Sequence, residues 1–332
     1  MPNLYVTEQG ARIEKEAGQL LVCKGGDVLT SVPAIRVEHI VLVGMIGITT
    51  PALAFLLDRG IDLVLLNSQG SFRVRLTGDV SPHIELRHRQ HQRADDIAFR
   101  LAVGRAMVAG KIANHRALCL RWDNHNDDPL TAEAAPELKR LADLARQAGD
   151  SDELMGIEGQ AAKRYFAVLR ANLDPAWAFE RRARRPPPDP VNALLSIAYT
   201  LLHEQCHSAL EAVGLDPYCG FLHAPKRGRS SLAVDLMEEF RGVLADSVVL
   251  TLINNQRIDA TDFTIGGSDG ARLSRDGWRA FADQFEQRMQ TLVTPPGQAR
   301  RISYQKVIEL QARKLRHVIE GTAAVYEPFK TR

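Results

Sequence analysis

Two short segments of the chain carry side chains that could bind a divalent metal ion. Glu158 lies in the sequence Gly-Ile-Glu-Gly, and His223 ends the sequence Gly-Phe-Leu-His. Asp235 and Glu238 follow the histidine, with Glu239 next to them. A carboxylate, an imidazole and a second carboxylate suit a divalent metal that keeps open coordination positions. These residue types therefore favour metal-dependent chemistry over a passive binding module.

Glu158 falls on the apolar stripe of a predicted helix that extends from residue 151 to about 170. A carboxylate on a core-facing stripe needs a partner, because burying it alone costs several kcal/mol or more. The helix by itself leaves two partners open: an Arg or Lys in an ion pair, or a metal ion. Gly156 and Gly159 would let another backbone or a ligand approach the carboxylate.

A second long helix is predicted from residue 231 to about 254. Asp235 and Glu238 are neighbours on it at i and i+3, and like charges this close repel unless a cation lies between them. The alternative is an acidic face in solvent. His223 follows a short apolar run, and alone it would be interpreted as an ordinary hydrogen-bonded residue.

Taken in order, the segments resemble CRISPR-associated protein one, a family of metal-dependent DNA endonucleases and integrases that insert new spacers. The resemblance extends over nearly the whole length of the chain. The matching segments are 4–6, 41–44, 60–70, 156–159 with Ala162, Tyr165 and Phe166, 184–187 leading into 189–195, 220–223, and 231–241.

The resemblance implies that Glu158, His223 and Glu238 bind one Mg²⁺ or Mn²⁺ ion, and that Asp235 lies beside the metal in the catalytic set. It also implies double-stranded or branched DNA as substrate, a homodimer, and CRISPR-associated protein two as a partner. Some members have Asp in place of Glu238, so the longer arm would change the ligand geometry slightly. Without metal, Glu158 and Glu238 would face each other, and we expect a raised pKa for at least one carboxylate.

Clusters of basic residues are candidates for DNA contacts, although the formal net charge is only +2. Such clusters can bind phosphates in a nearly neutral protein, and the alternative for each is a solvated face. The cluster around Lys226 is favoured because it lies between two proposed ligand segments. The candidate DNA-binding residues are Arg181, Arg182, Arg184, Arg185, Lys226, Arg227 and Arg229.

Four cysteines in a chain of 332 residues do not make a disulfide framework. There is no signal peptide and no apolar run of about twenty residues, so we expect a cytoplasmic protein without a membrane contact. His203, Cys206 and His207 share a predicted helix face. Because the chain has no Cys-x-x-Cys pair, a structural zinc site is disfavoured.

The hydrophobic period changes near residue 90. Before that point, segments rich in Val, Ile and Leu predict strands at 4–7, 19–23, 37–43, 61–66 and 72–76, with one helix between Thr49 and Gly60. Beyond residue 95, helical patterns include 133–148, 151–171, 190–213, 231–254, 274–293 and 303–320. We therefore predict a multi-domain α+β protein: a small β-rich N-terminal domain (1–88), a dimerisation surface by resemblance, and a larger all-α catalytic domain (89–332).

Two other functions stay open at this point. A stand-alone, structure-selective metal nuclease acting on DNA repair or recombination intermediates would use the same ligands. A non-enzymatic DNA-binding protein would instead use Glu158, His223 and Glu238 as an ion-paired core. The residues also do not distinguish cleavage, in which water attacks, from strand transfer, in which a DNA 3′-hydroxyl attacks.

Overall fold

The computed structural model describes residues 3–78, 83–123, 129–183, 186–266 and 270–331. Strands dominate the N-terminal part and helices dominate the remainder, which confirms the predicted α+β class and its order along the chain. The strands of the N-terminal part are β1 (Asn3–Val6), β2 (Arg12–Glu16), β3 (Gln19–Lys24), β4 (Asp27–Pro33), β5 (His39–Val43), β6 (Gly47–Ile48), β7 (Asp62–Leu66) and β8 (Phe72–Leu76).

These strands form two four-stranded sheets, one in the order β1-β5-β7-β8 and the other in the order β4-β3-β2-β6. In the first sheet β1, β5 and β7 are parallel, and β8 pairs antiparallel with β7. Helix α1 (Thr50–Asp58) joins β6 to β7. Its start is set as the sequence predicts: the Thr49 side chain accepts a hydrogen bond from the backbone N–H of Ala52, and Pro51 lies in the first turn.

The first sheet separates two hydrophobic cores. Ile40 and Leu42 of β5 face a small core shared with the second sheet and α1. Val41 and Val43, which alternate with them, face the large core built by the helices. A strand that is apolar on both faces therefore joins the β-rich part to the helical part.

The helical part contains α2 (Ile84–Asp95), α3 (Ile97–Asp123), α4 (Pro129–Gln147), α5 (Ser151–Ala171), α6 (Pro190–Ala212), α7 (Ser231–Met237), a π-helix (Arg241–Asp246), α8 (Ser247–Asn254), α9 (Arg275–Gln290) and α10 (Tyr304–Glu320). It also has two short antiparallel strand pairs, β9 (Phe263–Ile265) with β10 (Ala271–Leu273) and β11 (Leu292–Val293) with β12 (Ile302–Ser303). The larger part is therefore not entirely α-helical.

Several predicted elements differ from the structure. The single helix expected over 231–254 is divided into α7, the π-helix and α8. Strands β2 and β4 were not predicted, because β2 buries only one side chain, that of Ile13, and β4 is mostly exposed. The proposed domain division at residue 88 falls within α2, and the division itself stays a prediction.

Arg75 of β8 joins the two parts of the chain through a buried ion pair. Its guanidinium lies 2.6 Å from Oε2 of Glu204 in α6 and 2.5 Å from Oγ of Ser208. The same group lies 3.4 Å from Oδ2 of Asp62 in β7. Because the guanidinium of Arg75 binds side chains of α6 and of β7 at the same time, it fixes the orientation of α6 against the sheet.

Candidate active site

Glu158 and Glu238 bind the same ammonium group. Lys111, near the middle of α3, forms an ion pair with Oε1 of Glu158 and lies 2.6 Å from Oε2 of Glu238. The side chains of Lys111 and Glu238 are buried, and that of Glu158 is 20% exposed. Two of the three proposed metal ligands, from α5 and from the end of α7, thus meet around a positive charge.

A second cation fixes the carboxylate of Glu238. Nε of Arg241, at the start of the π-helix, lies 2.9 Å from Oε2 of Glu238. Burial would raise the pKa of Glu238, but Arg241 and Lys111 outweigh it and hold that pKa well below its usual range. The expected rise is therefore wrong for Glu238, because cations, rather than a facing carboxylate, surround it.

His223 is held by Asp235. Nδ1 of the ring lies 2.7 Å from Oδ1 of Asp235, and the backbone N–H of His223 donates to the same oxygen at 3.0 Å. The backbone N–H groups of Phe221 and Leu222 donate to Oδ2 at 2.7 and 2.9 Å. Since a carboxylate only accepts, Nδ1 carries the proton and Nε2 is the nitrogen left for a metal. Asp235, fully buried, therefore positions the histidine.

Gly220 makes this arrangement possible. A Cβ at this position would lie 2.7 Å from Cβ of Ser231 and 2.9 Å from Oδ2 of Asp235. Any other residue would push the 220–223 segment away from the carboxylate that binds its backbone. By contrast, a Cβ at Gly156 or Gly159 would meet nothing within 4 Å. Both glycines are exposed, and no other part of the described chain approaches them, so they face solvent and do not line a pocket around the Glu158 carboxylate, which Lys111 binds.

The donor set fits a divalent cation. Two carboxylates already surround one cation, and the ring of His223, which Asp235 fixes through Nδ1, supplies the third proposed donor. Carboxylate oxygens with one imidazole are ligands that suit Mn²⁺ and Mg²⁺. Within the described ranges, however, no three side chains of His, Cys, Asp or Glu are already arranged to hold a metal. Lys111 supplies the cation between the carboxylates instead.

The neighbouring acids are buried rather than solvated. Glu239 accepts hydrogen bonds from the hydroxyl of Tyr326, from Nε2 of Gln311 at 2.9 Å and from the backbone of Phe329 at 2.6 Å. Asp246 accepts the hydroxyls of Tyr165 at 2.8 Å and Tyr199 at 2.7 Å. Asp235 and Glu238 are themselves buried, which excludes the alternative of an acidic face in solvent for that pair.

Lys111 and Arg241 were missed by sequence reasoning. Lys111 interrupts an apolar helical segment, with Val108 and Ile112 fully buried beside it, and a charge on such a stripe is the sequence signal that could have identified it. Arg241 is the last residue of the matching segment 231–241, and the sequence gives it no separate role. It forms an i, i+3 pair with Glu238 and begins the π-helix, a local widening often found at functional sites.

Two of the candidate DNA-binding arginines near residue 180 lie within the described residues. Arg181 is exposed. Arg182 donates to Oδ1 of Asn192 at 2.8 Å and to Oγ of Ser196 at 3.0 Å, and its guanidinium lies over the ring of Tyr199. Arg182 therefore fixes the start of α6. Arg184 and Arg185 lie outside the described residues.

The 226–229 segment forms a tight hairpin between His223 and α7. Lys226 and Arg229 form an isolated antiparallel bridge, and Gly228 has a φ of +73°. Lys226 and Arg227 are exposed at its tip. Arg229 donates to the carbonyl of Ala224 at 2.5 Å, so it stabilises the hairpin. Lys226 and Arg227 are the members of this cluster whose side chains are exposed to solvent.

Both histidines on the predicted face of α6 contact neighbouring acids. Nδ1 of His203 lies 2.8 Å from Oε1 of Glu204, and Nε2 of His207 lies 3.4 Å from Oε1 of Glu211. Burial raises the pKa of Cys206 well above its usual range, which keeps it a neutral thiol.

Among the described residues, none of the helices combines the length and the hydropathy that a membrane-spanning segment needs.

Comparison with known proteins identifies the family. The family profile described as CRISPR associated protein Cas1 matches residues 4–287. The chain is 39% identical to CRISPR-associated endonuclease Cas1 3 of Thermus thermophilus over 332 residues, which covers 99% of this chain and 97% of the relative. The chain belongs to the Cas1 family. The resemblance inferred from the sequence is thus confirmed.

Solved structures agree on the Cas1 fold. A Cas1 protein from Thermotoga maritima superposes with a TM-score of 0.80 at 23% identity, over 99% of both chains. A casposase bound to its integration product superposes with a TM-score of 0.85 at 22% identity, over 98% of this chain and 93% of the other. The region matched to the Cas1 family includes Glu158, His223, Asp235 and Glu238.

Proposed function

We propose that this protein is a divalent-metal-dependent DNA endonuclease and integrase that inserts short DNA fragments as new spacers into a CRISPR array. The observation that carries the proposal is the meeting of Glu158 and Glu238 around one cation, together with the ring of His223 fixed by Asp235 three residues before Glu238. Membership of the Cas1 family and the endonuclease names of curated relatives support it.

Glu158, Glu238 and Nε2 of His223 would hold the Mg²⁺ or Mn²⁺ ion. When bound, the ion would polarise the scissile phosphodiester and stabilise charge on the leaving oxygen. Asp235 keeps the proton on Nδ1 of His223, so that Nε2 has a free lone pair. Arg241 keeps Glu238 ionised, because its positive charge lowers the pKa of that carboxylate. The hydrogen bond from Nε of Arg241 to Oε2 also holds the carboxylate in one orientation.

DNA would reach this site past the 226–229 hairpin. Lys226 and Arg227 are exposed next to the segment that ends in His223, and an exposed Lys and Arg can bind phosphates without reading sequence. The same centre can direct water or a DNA 3′-hydroxyl at phosphorus. We propose strand transfer as the main reaction, supported by the shared fold of a casposase whose structure contains an integration product.

The active assembly is proposed to contain two copies of this chain together with Cas2. A structure titled Cas6-RT-Cas1--Cas2 complex includes a chain with the same fold, at a TM-score of 0.85 over 36% of that chain. The β-rich part exposes large apolar side chains that suit association between copies. They are Val28 and Leu29 of β4 with Ile35 and Met45.

The test is a strand-transfer assay with a labelled short duplex and a plasmid that contains CRISPR repeats, with Cas2 and Mn²⁺ present. Wild type should join the labelled fragment to the plasmid. Glu158→Gln, His223→Ala and Glu238→Gln should fall to background while they still bind the duplex. Wild-type activity in any of these variants would contradict the proposed site. Cleavage without joining, and without need for Cas2, would favour a stand-alone nuclease.

A further inference from the structure

The ammonium group of Lys111 lies where the two carboxylates would bind a metal. It forms ion pairs with both Glu158 and Glu238, and its side chain is only 8% exposed. Lysine is seldom buried, because its charge must be desolvated unless partners replace water. Here the two partners are the carboxylates proposed as metal ligands. The ion pair is therefore in direct competition with the metal for the same oxygen atoms.

Helix α3 is fixed on both sides of this lysine, so the contact does not belong to a loosely held side chain on the surface. Nδ2 of Asn114 donates to the carbonyl of Glu239 at 2.8 Å and to that of Phe329 at 3.0 Å. A Cβ at Gly110 would lie 2.6 Å from Cβ of Pro328, so the helix packs closely on the C-terminal segment. These contacts keep the base of Lys111 close to the backbone that carries Glu238.

Charge balance shows why this position matters. Glu158 and Glu238 carry two negative charges, and Lys111 and Arg241 carry two positive charges. Arg241 approaches Glu238 and lies over the ring of Tyr199 at 4.7 Å, whereas Lys111 bridges both acids. A divalent ion that entered beside the bridging ammonium would add two positive charges next to two acids whose charge is already neutralised by Lys111 and Arg241. Like charges a few ångströms apart in a poorly solvated site repel strongly.

We propose that Lys111 is an internal counter-cation that a divalent metal must displace. It holds Glu158 and Glu238 together in the metal-free protein, and it lowers the affinity of the site for metal. The inference rests on the proposed metal site. It assigns Lys111 a positioning role: the lysine stabilises the empty site and sets the metal concentration at which the site is filled.

The experiment measures Mn²⁺ binding to the full chain by calorimetry and by the electron paramagnetic resonance signal of free Mn²⁺. Lys111→Met removes the charge and keeps an unbranched side chain. The variant should bind Mn²⁺ at least about tenfold more tightly than wild type, because no ammonium opposes the ion. It should also melt at a lower temperature without metal and show a larger increase in melting temperature when Mn²⁺ is added.

Lys163→Met is the matched control. Lys163 is exposed on α5, the same helix that carries Glu158. The substitution Lys163→Met removes one positive charge from the protein at a distance from the two carboxylates. The Mn²⁺ affinity of this variant should equal that of wild type. Lys111→Arg keeps the charge, and its affinity should stay much closer to wild type than that of Lys111→Met.

Equal or weaker Mn²⁺ binding by Lys111→Met would overturn the inference while leaving the metal site intact. The absence of Mn²⁺ binding by wild type and by Lys111→Met would instead overturn the proposed site itself, and the inference with it. If Lys111→Met does not fold without metal, Lys111→Gln takes its place. Its amide still donates a hydrogen bond to one carboxylate, and the same increase in affinity is expected because the charge is absent.

Discussion

Asp235 binds His223 twice, through Nδ1 of the ring at 2.7 Å and through the backbone N–H at 3.0 Å, both on the same carboxylate oxygen. One buried acid therefore fixes the position and the protonated nitrogen of the histidine. The other oxygen accepts the backbone N–H groups of Phe221 and Leu222. Asp235 and Glu238 are two acids three residues apart, and they have different roles. Asp235 fixes the orientation of His223, whereas Glu238 is itself a candidate metal ligand.

Asp235→Asn should weaken metal binding without removing a ligand. The amide keeps the shape, but its NH₂ group cannot accept the hydrogen bonds that Asp235 receives. We expect Mn²⁺ affinity to fall by about 10–100-fold, the usual effect of losing the partner of a metal-bound histidine. Calorimetric titration measures this change. Asp143→Asn, at an acid that is 54% exposed on α4, is the control and should bind Mn²⁺ like wild type.

Asp246 should make the stability of the fold depend on pH. Burial raises its pKa to about 6, although the hydroxyls of Tyr199 and Tyr165 oppose the rise. Because the folded pKa lies above the ordinary value, the contribution of Asp246 to stability is present below about pH 4 and is lost as pH rises through 6.

Asp246→Asn removes this titration and provides the comparison. Urea unfolding of both proteins in chelator should show wild type losing about 3 kcal/mol relative to Asp246→Asn between pH 4 and pH 7, the free energy of roughly a two-unit pKa shift. Titrations of other groups cancel in the difference. A difference that stays constant over this range would show that the buried carboxyl does not titrate there.

The C-terminal segment should depend on the hydroxyl of Tyr326. This hydroxyl donates to Glu239, which also accepts the backbone N–H of Phe329. Tyr326→Phe should cost about 1–3 kcal/mol of unfolding free energy, because a buried carboxylate loses a donor. It should also speed amide hydrogen exchange around residue 329. Tyr218→Phe, at a tyrosine that is 52% exposed, should change stability by no more than about 0.5 kcal/mol.

The hairpin tip should contribute to the salt dependence of DNA binding. Lys226 and Arg227 are exposed beside the segment that carries His223. Replacing both with Ala should reduce the slope of log affinity against log salt by about 1–2, since each phosphate contact contributes about 0.9. Fluorescence anisotropy at several salt concentrations measures the slope. The double variant Lys139→Ala, Arg140→Ala, on the exposed face of α4, is the control, and an equal effect there would indicate general charge only.

The sequence predicted the elements whose side chains follow a clear period. Helix α5 was predicted at 151–171 and is found at Ser151–Ala171, because its apolar stripe is regular and Asp150 caps its start. Strand β2 was not predicted, since four of its five residues are charged and only Ile13 is buried. It forms a strand because it pairs with β3, and that pairing is not encoded in a hydrophobic period of β2 itself.

The sequence predicted the acidic residues of the site, but it did not predict that Lys111 and Arg241 would bind them. Glu158, His223 and Glu238 follow a motif that can be recognised from order and spacing. Lys111 belongs to α3, far from these motifs in sequence, and its contact with both acids is created only when α3, α5 and the end of α7 pack together. The expectation of facing, protonated carboxylates failed for Glu238 for that reason.

The central claim is that Glu158, Glu238 and Nε2 of His223 hold one divalent ion. The most direct measurement is anomalous diffraction from crystals of the protein soaked in Mn²⁺, at an X-ray energy just above the manganese absorption edge. We expect one strong peak within about 2.5 Å of these three side chains, with the ammonium of Lys111 moved away from both carboxylates. A peak elsewhere, or Lys111 still bridging Glu158 and Glu238 in saturating Mn²⁺ with no peak between them, would contradict the account.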